Sequence, residues 1–153
     1  MKTQRQALVM TALTLGLMLG AAGCSTFNRE WKAAGAARAS APGIGGRWEG
    51  TWSSQTNGHH GRLRCLLIQK TNEPSLAQFH ANYKKILSFS YTVPLTVSET
   101  NGVYRFQGAA DLGRLAGGTY HYEGEATPTN FVSIYRAEAD GGIFQMQRPK
   151  PSE

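Results

Sequence analysis

Between residues 47 and 149 the chain is cut into short apolar or alternating runs by closely spaced turn signals: Thr56-Asn57-Gly58, Asn72-Glu73-Pro74, Asn101-Gly102, the Gly-rich 113–118, Pro128-Thr129-Asn130 and Asp140-Gly141-Gly142. Asn-Gly and Asp-Gly-Gly tolerate positive φ and so favour tight hairpins, which join antiparallel neighbours. A parallel sheet would need crossover segments of about a dozen residues between runs, and the sequence does not supply them. The alternation predicts strands over 47–53, 61–70, 78–83, 86–99, 103–110, 118–126, 131–139 and 143–147. The expected fold is all-β, an antiparallel up-and-down meander of about eight strands. Closing it into a small barrel removes both raw edges; a curved open sheet or a β-sandwich is the alternative.

Two places strain this pattern. Leu76, Phe79, Tyr83, Ile86 and Leu87 recur at helical spacing, so residues 75–87 could form an amphipathic helix after Pro74. Phe79, Ala81 and Tyr83 also alternate with Gln78, His80 and Asn82, and Phe89, Tyr91 and Val93 continue the period of two, so strand is preferred. Pro94 then lies inside the following run, which implies a bulge or an edge position there.

The N-terminus has a different texture. Lys2 and Arg5 precede a charge-free stretch, 7–23, built mainly of Leu, Met, Val, Ala, Thr and Gly. A cationic start followed by an apolar segment too short and too Gly-rich to span a bilayer comfortably is the arrangement of an export signal. Its removal would leave roughly 130 of the 153 residues, a length suited to one domain. The formal charge of +6 would fall to +4 with the loss of Lys2 and Arg5. Three segments follow from this: a signal over 1–23, a flexible Ala/Gly-rich tether over 24–45, and the β-domain over 46–150. A short helix over 31–39 is permitted by its Ala content, but without an apolar face it would be marginal. Trp31 could sit at a membrane headgroup level or be incidental.

The signal ends in Leu19-Gly20-Ala21-Ala22-Gly23-Cys24-Ser25, and here the sequence resembles the lipobox of bacterial lipoproteins. Ala22, Gly23 and Cys24 match that motif, while Ala21 stands where Leu is commoner. The resemblance implies lipidation at Cys24 by acyl chains such as palmitate. It also implies a location in the bacterial cell envelope, in the outer membrane facing the periplasm given Ser25 after the Cys. Each buried CH2 contributes roughly 0.8 kcal/mol, so two or three chains tether a protein stably without spanning the bilayer. With Cys24 lipidated, Cys65 has no partner in the chain, and its setting in Arg64-Cys65-Leu66-Leu67-Ile68 reads as a buried apolar thiol.

The opening of the β-domain, Gly46-Arg47-Trp48-Glu49-Gly50-Thr51-Trp52, is similar to the first strand of calycin barrels, meaning lipocalins, avidins and fatty-acid-binding proteins. Gly50-Thr51-Trp52 with the next Ser-Ser-Gln looks avidin-like in particular. The resemblance implies that Trp48 or Trp52 plugs one end, with Arg136 or Arg148 stacked on it. It does not carry biotin binding across, because avidin-type sites use Trp from middle and late strands, and every Trp here lies at or before position 52. Lipocalin-type binding of a hydrophobic small molecule is less constrained. Phe79, Tyr91, Phe106, Tyr120, Tyr122 and Tyr135 are the candidate ligand-lining residues; the preferred reading is that, with Phe131 and Phe144, they fill a small interior as core.

Chemistry-bearing constellations are sparse. Adjacent His59 and His60 diverge in an extended chain, His80 and His121 stand alone, and no His-x-His or Cys-x-x-Cys occurs, so no metal site is expected. Glu123 and Glu125 share one face of a strand, as the paired acids of glycosidases sometimes do; a hydrolase using them or a His is the enzymatic alternative. Arg62 and Arg64, with Lys84-Lys85 elsewhere, make no continuous basic stripe interleaved with exposed aromatics, so nucleic acid is not an expected partner. The sequence therefore predicts a lipid-anchored envelope binding or interaction module without catalytic activity or cofactor. Its partners would be the membrane and either an envelope protein or a hydrophobic ligand.

Overall fold

The structure is a computed structural model that describes residues 26–35, 43–84 and 86–150. The expected signal, Cys24, and residues 36–42 of the expected tether lie outside the described residues. Eight strands run in chain order: β1 Gly46–Ser54, β2 His60–Ile68, β3 Ser75–Tyr83, β4 Leu87–Thr100, β5 Val103–Asp111, β6 Thr119–Ala126, β7 Asn130–Arg136 and β8 Gly141–Gln147. Each pairs antiparallel with its sequence neighbours, and β1 also pairs with β8, so the meander closes into a barrel. Residues 75–83, ambiguous by periodicity, are strand β3.

Local chemistry accounts for the closure. Asn101 and Gly102 adopt φ of 53° and 79°, the left-handed conformations that a two-residue hairpin between β4 and β5 requires. Where strands bend around a narrow interior, an inward side chain must be absent. A Cβ at Gly50 would strike the Gln145 carbonyl of β8, and one at Gly124 would strike the Val132 carbonyl and the Phe106 ring.

The period of two places Trp48, Leu63, Cys65, Leu67, Ala77, Phe79, Val93, Leu95, Phe106, Phe131 and Met146 in the buried interior. One end of the barrel is closed by Trp48, fully buried, whose Nε1 donates to the Ile44 carbonyl at 2.9 Å. The Arg148 guanidinium lies 3.9 Å from the centre of its ring and donates to the carbonyls of Gly43, Gly45, Arg47 and Pro128. Phe131 packs beside Trp48 at 5.6 Å, and Phe106 stacks on Phe131 at 4.6 Å.

The other half is less tightly laced. β4 pairs with β3 from Leu87 to Leu95, yet with β5 only from Leu95 to Thr100. The ladder to β5 stops at Pro94, which has no N–H to donate, so residues 87–94 form a local edge inside a closed barrel. On the opposite side of that gap, Ala109, Ala110 and Asp111 pair with β6 alone.

The expected tether needs correction. Residues 26–35 form a helix, α1, that docks on the outer face of β1–β3. Its apolar face comes from Phe27, Trp31 and Ala34, spaced i, i+4, i+7, and it covers Leu66, an outward residue of β2 that is 7 % exposed. Phe27 stacks on His80 at 5.0 Å, and the guanidinium of Arg64 lies over both Phe27 and Trp31. Arg47 lies over Trp31 as well, and Arg64 donates to Asn28. Trp31 is thus a packing residue against the barrel. Ile44, also inside the expected tether, is fully buried. No helix among the described residues is long and apolar enough to cross a membrane.

Candidate functional site

The gap beside Pro94 opens into a cavity of about 570 Å³ at the end of the barrel opposite Trp48. Its wall is built from inward positions of six strands and the connection after Asp111: Trp52, Ala81, Tyr91, Tyr120, Tyr122, Tyr135 and Phe144, with Phe89, Leu112 and Ala116 towards the rim. The rings form a continuous lining, with Tyr91 to Tyr122 at 6.3 Å, Tyr120 to Tyr135 at 6.0 Å, and Tyr135 to Phe144 at 5.0 Å between centroids. Phe79 lies beneath, 5.4 Å from Tyr91 and 5.3 Å from Phe144. Trp52 is fixed by donation from its Nε1 to the Asn82 carbonyl at 3.0 Å.

The polar groups of the lining converge on one carboxylate. Asp140, at the turn into β8, accepts from Ser54 Oγ at 2.6 Å and from its neighbour Gly141 N at 2.9 Å, and the Tyr135 hydroxyl donates to it at 3.4 Å. Asp111, at the end of β5, lines the same cavity and accepts from Gly113 N. Burial, and then the charge of Asp140, hold the Tyr135 and Tyr120 phenols above their ordinary range. Burial also raises Tyr122 and Tyr91. All four phenols are therefore neutral donors near pH 7.

Of the six candidate ligand-lining residues, Tyr91, Tyr120, Tyr122 and Tyr135 are brought together in this wall, and Phe79 forms its floor. Phe106 is not part of it; it packs against Phe131 near the closed end. Trp48 and Arg148 stack at that closed end, whereas Trp52 belongs to the cavity and Arg136 is on the outer surface. Asp111, Asp140 and Ser54 were visible in the sequence only as turn and strand-end residues.

The remaining candidates are dispersed. Glu123 and Glu125 lie on the exposed outer face, ion-paired with Arg136 at 2.7 Å and with Arg105 at 2.8 Å. His59 sits against the Tyr83 ring and His80 beneath α1, and neither Glu is hydrogen-bonded to a histidine among the described residues. Among the described residues no group of three His, Cys, Asp or Glu side chains could hold a metal ion. Cys65 is fully buried and faces the core, where desolvation pushes its thiol well above its ordinary range.

No protein-family model, curated protein or solved structure matches this chain.

Proposed function

We propose that this chain is a lipid-anchored, non-catalytic binding protein of a bacterial envelope that takes a small, largely apolar molecule into the tyrosine-lined end of its barrel. The observation that carries this reading is the cavity itself. About 570 Å³ of space lined mainly by aromatic rings, with a few convergent polar groups, is within the size and chemistry of small-molecule sites. Tyr122, Tyr135 and Phe144 are themselves buried, whereas Trp52, Tyr91 and Tyr120 beside them are only partly covered, unlike the fully buried Trp48 at the other end. The lipobox-like run ending at Cys24 supports the anchor and the envelope location, with the outer membrane as the expected destination. An enzymatic use of Glu123 and Glu125 draws no support from two acids each engaged by an arginine on a solvated face.

The test is titration with the neutral fluorophore N-phenyl-1-naphthylamine. The expected result is a saturable rise in emission at one molecule per chain, weakened at least tenfold by Ala81→Leu or Ala116→Trp, which occupy the wall and the rim. No saturable binding to the folded chain would overturn the reading.

A further inference from the structure

We infer that the ligand taken by this cavity is an organic cation, an ammonium carried on an aromatic or short alkyl body. The inference rests on the reading of the cavity as a small-molecule site and adds the charge of what enters it.

Three observations carry it. The lining contains two acidic side chains, Asp111 and Asp140, and no Lys, Arg or His, in a chain with 16 Lys plus Arg against 10 Asp plus Glu. Neither acid is in an ion pair among the described residues, whereas Glu73, Glu123 and Glu125 each hold one. Asp140 receives only neutral donors, the Ser54 hydroxyl, the Tyr135 hydroxyl and a backbone N–H, so its charge is oriented and hydrogen-bonded but not neutralised. A negative charge kept beside low-dielectric walls attracts a cation more strongly than the same charge in open water.

The rings supply the second half of the recognition. Tyr135 is hydrogen-bonded to Asp140 and Tyr120 packs beside Tyr135, with Tyr91 and Trp52 lining the same cavity, and the electron-rich faces of Tyr and Trp attract ammonium groups, most of all when these are partly desolvated. An anionic ligand would meet two carboxylates with no cation to offset them. A neutral one would leave the carboxylates uncompensated.

The structural role of Asp140 in bracing the turn before β8 is separable from its charge, because asparagine keeps an oxygen to accept from Ser54 and Gly141. The experiment is isothermal calorimetry of the full chain with three near-isosteric probes at neutral pH: 2-phenylethylammonium, 2-phenylethanol and 3-phenylpropionate. The ammonium is expected to bind roughly tenfold or more tighter than the alcohol, and the carboxylate most weakly. In Asp140→Asn and in Asp111→Asn the ratio of ammonium to alcohol affinity should fall, and a ratio unchanged in both variants would overturn the assignment of charge. Equal affinity for ammonium and alcohol, or tighter binding of the carboxylate, would overturn the assignment of charge and leave the cavity reading standing. Binding of none of the three would overturn both.

Discussion

The two tryptophans of β1 stand four residues apart on one face of a strand and meet opposite environments. Trp48 is fully buried between Phe131 and the Arg148 guanidinium, and its truncation removes a large ring while leaving the desolvated Arg148 without its stacking partner. Trp48→Ala is expected to cost about 3 to 5 kcal/mol, read from chemical denaturation. Trp52 is half-buried at the cavity wall, where truncation enlarges a space already open to solvent, and Trp52→Ala should cost about 1 kcal/mol. Similar losses from both would contradict a barrel with one sealed and one open end. The alternation of β1 shows that both rings face inward. It does not distinguish the two ends, because the difference arises from Ile44 and Arg148, which lie 4 residues before and 100 residues after Trp48.

At the scale of the element, α1 is held by an interface that includes a titratable group. His80 is 4 % exposed beneath Phe27, with Nδ1 2.7 Å from Ser90 Oγ and Arg64 as the nearby charge. Burial, and then Arg64, lower its pKa below the ordinary 6.5, so at pH values just under 6.5 the folded chain binds fewer protons than the unfolded one. The stability supported by the neutral ring is fully present above that value and is lost as pH falls through the window below it. Denaturation midpoints measured from pH 7.5 down to 5 should therefore decline, and the decline should be smaller in His80→Gln; an unchanged slope would refute the coupling. The eight strands were legible because each carries its own alternation and its own turn residues. The helix was not, since Phe27, Trp31 and Ala34 form an apolar face only when Leu66 and His80, outward residues of distant strands, are there to receive it. The cavity was half legible. Tyr91, Tyr120, Tyr122 and Tyr135 could be placed inward from their spacing, but whether they fill or line the barrel depends on how far the β4–β5 ladder extends past Pro94.

For the molecule as a whole, the direction of α1 matters. Thr26 and Phe27 line an outer cleft together with Ser90 and Tyr91, two residues that also line the cavity, and the far end of the helix approaches Arg47, next to Trp48. Residue 24, the proposed site of lipidation, is two positions before the start of α1. Phe89 of the cavity rim, Leu115 beside the rim residue Ala116, and Ile86 and Leu87 at the start of β4 expose apolar side chains, Leu115 completely. In acylated protein bound to vesicles, a fluorophore on Leu115→Cys should be quenched by spin-labelled lipid far more than one on Asn72→Cys, in the turn after β2; equal quenching would exclude this orientation. With an anchor at residue 24, the two neighbourhoods of Ser90 and Tyr91, the cleft shared with α1 and the cavity, would tie attachment to access. A guest dissolved in the leaflet could pass sideways into the protein without first dispersing in the aqueous phase, and loading would follow its concentration in the lipid.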